Sequence, residues 1–267
     1  MLVRHLAFPL ALAASLAAAI ACTSSTESVA PAQATDTDAG APAEEVDAAR
    51  PAEIDAGDVG PSPIASCTQD PGATAPTFDP ASATDPIGGA AKFTLEMALA
   101  GFPAGQGKLT AAIRTEKGWL KCDLDESAAP VSVANFVGLA RGTRPYKLDK
   151  TWQVGKFYDG LVWHRVIPDF VIQGGDPDGV GTGGPGYDLV PENQVDEPLG
   201  TLAMAAAKAP SGSQFYVVVG QGPAAKYNVF GHCSTEAAVA IAGVPRDEAD
   251  MPKTPVHMLK VEIGRCP

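Results

Sequence analysis

The chain has 267 residues, of which 45% are apolar, and it carries 31 acidic against 19 basic side chains, a net charge of −12. This length and apolar content suffice for a buried core and exclude a chain that is disordered throughout. The acidic balance argues against a nucleic-acid-binding protein, and beyond the N-terminus no apolar run is long enough to span a membrane.

The first 21 residues have the pattern of a secretory signal peptide. Arg4 precedes an apolar run, residues 6–21, which is rich in Ala and Leu and ends in small residues. The stretch Ala19-Ile20-Ala21-Cys22 resembles a bacterial lipobox, in which the cysteine becomes the lipidated first residue of the mature protein. We therefore expect an exported lipoprotein of the cell envelope or periplasm, anchored to a membrane through Cys22. The alternative is an ordinary signal peptide that is cleaved near Ala21.

Residues 22–91 are predicted to form a disordered linker. From residue 23 to residue 90 there are 12 acidic residues and one basic residue, and Ala and Pro supply 25 of the 68 positions. Such a segment buries too little apolar surface to offset the entropy of ordering it, and a proline-rich, self-repelling chain stays extended. The linker would therefore act as a spacer before a nearly neutral domain, residues 92–267. A dedicated partner-binding role is the alternative.

Four cysteines remain beyond the lipobox. They are Cys67, Cys122, Cys233 and Cys266. An even number in an exported protein predicts two disulfides, but the spacing leaves all three pairings open. The chain has no CxxC pair and no Cys/His cluster, so we expect neither a metal site nor a cofactor.

The predicted elements begin at residue 93. Residues 93–97 alternate with period two, which predicts a strand, and 109–114 with 119–124 predict a hairpin. A helix is predicted to begin at Pro130 and to stop at Gly142. Short apolar runs separated by Gly/Pro-rich loops follow at 161–166, 170–173, 199–205, 214–219, 228–230 and 256–263. Many short strands with one early helix predict a mainly β fold, a closed antiparallel barrel capped by helices.

Several motifs in this region occur together in one order. Residues 129–136 read APVSVANF and residues 163–176 read WHRVIPDFVIQGGD; GTGG, LAMA, GSQFY and VFG follow from residues 181, 202, 212 and 229. This combination resembles the cyclophilin family of peptidyl-prolyl isomerases over roughly residues 109–266. The resemblance implies an eight-stranded antiparallel barrel closed by two helices, with the active site in a groove on its outer face.

The resemblance also implies the site residues. Isomerisation of an Xaa-Pro bond requires a group that favours the twisted amide, and a fixed arginine suits this because it stays charged. By resemblance Arg165 is that catalytic residue, accompanied by Phe170 and Gln173. The predicted substrate-binding residues are Val171, Met204, Ala205, Ala206, Gln214, Tyr216, Pro223 and Tyr227.

The chain departs from the family pattern at the groove. Tyr216 replaces the usual Phe, Tyr227 stands where many members carry His, and Ala206 stands where Asn is usual. Gly222-Pro223 occupies the place of a common Trp-Leu pair, which predicts a thinner pocket wall and weaker binding of cyclosporin-type inhibitors. Residues 141–156 look like an insertion between the helix and the strand that carries the catalytic arginine.

These observations predict a peptidyl-prolyl cis-trans isomerase that acts on exported or envelope proteins. Its partners would be proline-containing polypeptides and, through the lipid on Cys22, a membrane; nucleic acid is not expected. We expect a monomer, since no heptad repeat is present. The alternative is a non-catalytic peptide-binding or assembly module that uses the same groove.

Overall fold

The computed structural model describes residues 58–193, 195–224 and 227–267. The predicted signal peptide, Cys22 and the linker up to residue 57 lie outside these ranges, so those expectations stay predictions. Within the described ranges, no helix combines the length and the apolar character needed to cross a bilayer.

The described residues form three α-helices and eleven strands. The helices are α1 (Leu95–Ala98), α2 (Pro130–Arg141) and α3 (Glu236–Ala242). The strands are β1 (Thr68–Gln69), β2 (Lys108–Thr115), β3 (Gly118–Leu124), β4 (Tyr146–Leu148), β5 (Thr151–Gln153), β6 (Arg165–Ile167), β7 (Val171–Gly174), β8 (Thr201–Ala206), β9 (Pro210–Val218), β10 (Val229–Cys233) and β11 (Lys260–Cys266).

Nine of these strands form one antiparallel sheet in the order β1-β11-β2-β3-β10-β8-β9-β7-β6, while β4 and β5 form a separate hairpin. The prediction of a mainly β fold is thus confirmed. The closed barrel of eight strands is not: the sheet has nine strands, and among the described residues no ladder joins its two edge strands, β1 and β6. A single antiparallel bridge between Val162 and His257 joins the segments that lead into β6 and β11. Backbone hydrogen bonds from Trp163 N–H to the Val256 carbonyl at 2.9 Å and from Met258 N–H to the Leu161 carbonyl at 2.7 Å accompany this bridge.

The helix α2 packs on the inner face of the sheet. It begins with proline in its first turn and ends at Gly142, whose φ of 79° is the left-handed conformation that glycine adopts readily. These bounds confirm the predicted helix. Its Phe136 ring lies 5.0 Å from the ring of Tyr158 and 5.4 Å from the rings of Phe215 and Phe230, at the centre of the main core.

The strand predicted at residues 93–97 is wrong. The structure has α1 there instead, and the Thr94 side chain caps it by accepting a hydrogen bond from the backbone N–H of Met97 at 3.3 Å. Five residues of alternation are too few to separate a strand from one helical turn, and a threonine cap favours the helix.

Residues 58–107 form a segment that we term the N-terminal strap. Its first part, up to residue 91, was predicted to be disordered, yet the structure packs it against the sheet and α2. Ile64 is fully buried, and β1 pairs with β11. Asp70 and Asp85 form ion pairs of 2.8 Å and 2.5 Å with the buried Arg141 and Arg144. Two of the acidic residues that suggested a solvated linker are therefore partners of buried arginines, which composition alone does not reveal.

Two disulfides are present, Cys67–Cys266 and Cys122–Cys233. The first joins the strap to the C-terminal strand. The second joins residues that face each other directly across the β3–β10 ladder. The structure thus selects one of the three pairings that the sequence left open.

Candidate active site

One row of residues crosses four neighbouring strands on the outer face of the sheet. Arg165 in β6 is opposite Gln173 in β7, which is opposite Tyr216 in β9, which is opposite Ala203 in β8. Directly opposed residues on antiparallel strands project from the same face. This face also carries a small apolar cluster, separate from the main core, whose members are Val171, Ala203, Tyr216 and Val218, with Phe170, Ala205, Tyr227 and Val229 packed against them.

A cavity of about 150 Å³ opens on this face. Most of its lining residues are aliphatic or aromatic, and Arg165 and Gln173 add polar side chains, a combination typical of ligand sites. Nine of the eleven predicted site residues line it: Arg165, Phe170, Val171, Gln173, Ala205, Ala206, Tyr216, Pro223 and Tyr227. Its size suits a single small ring.

Met204 is one predicted pocket residue that the structure places elsewhere. It is fully buried in the main core with Phe215 and Leu202, on the inner face of the sheet. Along β8 the side chains alternate, so Ala203 and Ala205 face the groove and Met204 faces away from it. On the outer face, the aliphatic side chain of Val171 lines the cavity.

Gln214 lies beside the cavity rather than in it. Its side-chain Nε2 donates to the Gly183 carbonyl at 2.8 Å, and its Oε1 accepts from Gln173 Nε2 at 3.0 Å. It lines a second cavity of about 480 Å³ that shares Gln173, Ala205 and Ala206 with the first and adds Asp188 and Lys208 among others. The two cavities are therefore neighbours on this face, and together we term them the groove.

Arg165 is half-buried at the mouth of the smaller cavity. Its guanidinium carbon lies 5.9 Å from the centroid of the Phe170 ring, within the range of a cation–π contact. The turn that carries Phe170 is fixed from the neighbouring strand, since the backbone N–H of Val219 donates to the Phe170 carbonyl at 2.9 Å. A cation is thus held beside an apolar pocket.

The comparisons with known proteins agree with this geometry. The model of the family "Cyclophilin type peptidyl-prolyl cis-trans isomerase/CLD" matches residues 110–263. The chain belongs to this family. It is a peptidyl-prolyl cis-trans isomerase of the cyclophilin type.

Its relatives are bacterial and eukaryotic. It is 42% identical over 168 residues to peptidyl-prolyl cis-trans isomerase A of Mycobacterium tuberculosis, which covers 58% of this chain and 92% of the relative. It is 42% identical over 153 residues to peptidyl-prolyl cis-trans isomerase B of Streptomyces anulatus, covering 52% and 86%. Among solved structures it resembles a cyclophilin-type isomerase of Cryptosporidium parvum, with a TM-score of 0.51 and 26% identity, over 60% of this chain and 99% of that one. The same Cryptosporidium protein was also solved in the presence of the dipeptide Ala-Pro, and that structure matches with a TM-score of 0.50 and 27% identity, over 59% and 99% of the chains.

This cyclophilin differs from the usual pocket at Tyr216. The Tyr216 hydroxyl donates to Glu197 Oε2 at 2.5 Å, and burial together with this bond raises the pKa of Tyr216 well above its ordinary value, so the phenol stays a neutral donor. The ring meets the Tyr227 ring edge-on, with centroids 5.7 Å apart. Glu197 was not predicted from the sequence because it lies in a loop without a motif. The one indication of such a residue was Tyr216 itself, since a buried hydroxyl needs a hydrogen-bond partner.

Gly222 lies against the loop that carries Glu197. A Cβ atom at Gly222 would lie 2.2 Å from the carbonyl oxygen of Glu197, closer than any side chain tolerates. A large aromatic side chain at this position would therefore require the backbone to move. Pro223, the next residue, lines the cavity. The thinner pocket wall at Gly222-Pro223 stays a prediction.

The part of the chain that the structure describes contains no group of three or more His, Cys, Asp or Glu residues that could hold a metal ion.

Proposed function

We propose that this cyclophilin accelerates isomerisation of Xaa-Pro bonds in exported or envelope proteins, with Arg165 as the catalytic residue. The observation that carries the proposal is the position of Arg165, at the mouth of an apolar cavity and directly opposite Gln173 across the β6–β7 ladder. A proline ring in this cavity would bring its amide nitrogen next to the guanidinium.

Isomerisation of an Xaa-Pro bond makes and breaks no covalent bond. Amide resonance imposes a rotational barrier of about 18–20 kcal/mol, and in the twisted amide the nitrogen has recovered its lone pair. A guanidinium that donates a hydrogen bond to this nitrogen stabilises the twisted form more than the planar one, which lowers the barrier. The apolar pocket of Phe170, Val171 and Tyr216 would hold the ring while the rest of the amide turns.

Polar groups around Arg165 support this role. The amide nitrogen of Gln173 is engaged by Gln214, which leaves the carbonyl oxygen of Gln173 as the acceptor that it can offer to the guanidinium opposite. Ala205 and Ala206 line both cavities and would present backbone hydrogen-bonding groups to an extended peptide. Substrate recognition here would therefore not need the asparagine side chain that Ala206 replaces.

The decisive experiment follows cis-to-trans isomerisation of a short Xaa-Pro peptide with the full chain, produced under oxidising conditions. We expect Arg165→Ala to lower kcat/KM by about 100-fold, since removal of one transition-state donor costs this much in other enzymes. Arg246→Ala is the matched control, because Arg246 is a surface arginine that pairs with Asp250. An equal loss in both variants, or no loss at Arg165, would refute the assignment.

A second candidate function is peptide binding without turnover. Two departures from the family pattern favour it: Gly222-Pro223 in place of the common Trp-Leu pair, and Tyr227 in place of His. Wild-type protein that binds the peptide in a titration but leaves its isomerisation rate unchanged would establish this alternative.

The cellular setting belongs to the same proposal and is supported by the sequence of residues 1–22. We infer that Cys22 is lipidated and that the domain works as a monomer on the outside of a membrane. Metabolic labelling with a radioactive fatty acid should mark the wild-type chain in a bacterial host and should leave Cys22→Ser unlabelled. Equal labelling of both would show that the lipid is not on Cys22.

A further inference from the structure

We propose that Glu197 is the positioning residue of the proline pocket and that it sets the pocket's affinity for the proline ring. The inference rests on the proposed function, because it assigns the support of the same site. It concerns a residue other than the catalytic arginine, a glutamate that is not among the residues lining the cavity.

The Glu197 carboxylate joins two walls of the cavity. It is 7% exposed, and its two oxygens are divided between two aromatic residues. Oε2 accepts the hydrogen bond from the Tyr216 hydroxyl at 2.5 Å, and Oε1 accepts from the backbone N–H of Tyr227 at 3.1 Å. Both tyrosines line the cavity, and their rings contact each other edge-on. One buried charged group therefore fixes the distance between them.

A third wall depends on the same residue through its backbone. The Glu197 carbonyl oxygen lies so close to Gly222 that a Cβ there would be 2.2 Å away. Pro223, the next residue, lines the cavity. The close approach of the two loops therefore also sets the position of Pro223 in the cavity wall.

The loop that leads to Glu197 is anchored by two of its residues. Glu192 accepts hydrogen bonds from the backbone N–H groups of Val131 and Ser132, at 2.7 Å and 2.8 Å, at the start of α2. Asn193 pairs with the backbone N–H and C=O of Val229 at 3.0 Å and 2.9 Å. These contacts join the loop to α2 and to β10.

The pocket has a particular need for this connection. The cluster on the outer face of the sheet has only four buried members, so packing alone constrains the aromatic rings less than it does in the main core. A hydrogen bond to a carboxylate is about twice as strong as one between neutral groups. Rings that are already in place before the peptide arrives do not have to be ordered upon binding, and the affinity rises accordingly.

The test compares Tyr216→Phe, Glu197→Gln and the double variant in the full chain, with KM, kcat and the dissociation constant of a short Xaa-Pro peptide as readouts. In glutamine an NH2 group replaces one of the two carboxylate oxygens and the charge is lost, so the two charge-assisted hydrogen bonds cannot both be kept. We therefore expect Glu197→Gln to raise KM and the dissociation constant by about fivefold or more, while kcat changes by less than about twofold. In the double variant the glutamine oxygen can accept from Tyr227 without competition from a Tyr216 hydroxyl. The loss of affinity should therefore be smaller than the sum of the losses in the two single variants.

Glu192→Gln is the matched control. It removes a carboxylate of the same loop that also accepts from several donors, but its donors belong to α2 and not to the pocket. The proposal predicts a loss of thermal stability in this variant with peptide affinity close to that of the wild type. Equal loss of affinity in Glu192→Gln and Glu197→Gln would overturn it, because the effect would then come from the loop as a whole.

Unchanged KM and affinity in Glu197→Gln, in an active wild-type background, would also overturn it. If Glu197→Gln does not fold, Tyr216→Phe decides by the same readouts, because it removes the same hydrogen bond from the other side. An inactive wild type would refute the proposed isomerase function instead, and the dissociation constants would still decide whether Glu197 positions the pocket.

Discussion

Arg165 provides both a positive charge and a planar set of hydrogen-bond donors. A substitution by lysine distinguishes these two contributions. Arg165→Lys keeps the cation but replaces the fork with a compact, strongly hydrated ammonium. We expect kcat/KM to fall by about tenfold or more, because a point charge cannot donate to the twisted amide and to Gln173 in one fixed plane. The isomerisation assay at constant pH measures this. A lysine variant with full activity would show that charge alone is sufficient.

Gly222 marks a close approach that any side chain would disturb. Gly222→Ala would place its Cβ 2.2 Å from a backbone oxygen, whereas a Cβ at Gly184 would meet nothing within 4 Å. We expect Gly222→Ala to lower the free energy of unfolding by about 1–3 kcal/mol, the usual cost of overpacking. Gly184→Ala should be close to neutral. Urea denaturation of the oxidised proteins compares them, and similar midpoints would contradict the geometry.

The sequence motif predicts which residues are neighbours, but not always which way they point. Arg165, Gln173 and Tyr216 fall on one face because their strands are in register, and the motif order carries that register with it. Met204 is adjacent to the correct residues and yet faces the core, because a shift of one position along a strand exchanges the two faces. Glu197 lies in a loop without periodicity, so the sequence pointed to it only indirectly, through the need of the Tyr216 hydroxyl for a partner.

Asp85 illustrates how an element outside the family domain is held. Its carboxylate contacts both terminal nitrogens of the buried Arg144, at 2.9 Å and 2.5 Å, and that guanidinium also lies 4.0 Å from the Tyr187 ring centroid. Burial raises the pKa of Asp85, but hydrogen bonds from Arg144 and from the backbone of Ile87 and Gly89 outweigh it and hold the pKa below its ordinary value of 3.8.

A carboxyl with a lowered pKa in the folded state stabilises the protein above its unfolded pKa and loses this contribution as the pH falls through the folded value. We therefore expect the wild-type stability to decline below about pH 4 and the decline to be shallower in Asp85→Asn. At neutral pH the variant should lose about 3 kcal/mol, because a buried arginine is left without its carboxylate. The exposed Asp79, changed to Asn, is the control. Parallel pH curves for wild type and Asp85→Asn would contradict this.

Elements with strong local signals were predictable, and those that depend on distant partners were not. The helix α2 is marked by Pro130 at its start and Gly142 at its end, and both bounds are observed. The strap carries no such signal. Its Pro-rich, acidic composition favours disorder, and its order depends on contacts with residues far away in the sequence, among them the ion pairs of Asp70 and Asp85 with Arg141 and Arg144.

At the scale of the whole molecule, the strap adds a layer that the family match does not include. The match begins at residue 110, while the described structure begins at residue 58. None of the strap residues lines the cavity at Arg165. The strap therefore contributes to stability, whereas the groove is built by the strands and loops that follow.

The disulfide Cys67–Cys266 allows this division to be tested. It spans 199 residues, and a cross-link over so long a loop removes much of the entropy of the unfolded chain. We expect the double variant Cys67→Ser/Cys266→Ser to lose about 2–5 kcal/mol of stability and to show faster hydrogen exchange at Ile64 and β1. Isomerisation below the unfolding transition should stay within about twofold of the wild type, because the groove residues keep their own contacts. If activity falls together with the protection of the strap from hydrogen exchange, the strap supports the groove directly. If exchange at Ile64 is unchanged, burial and the ion pairs hold the strap without the disulfide.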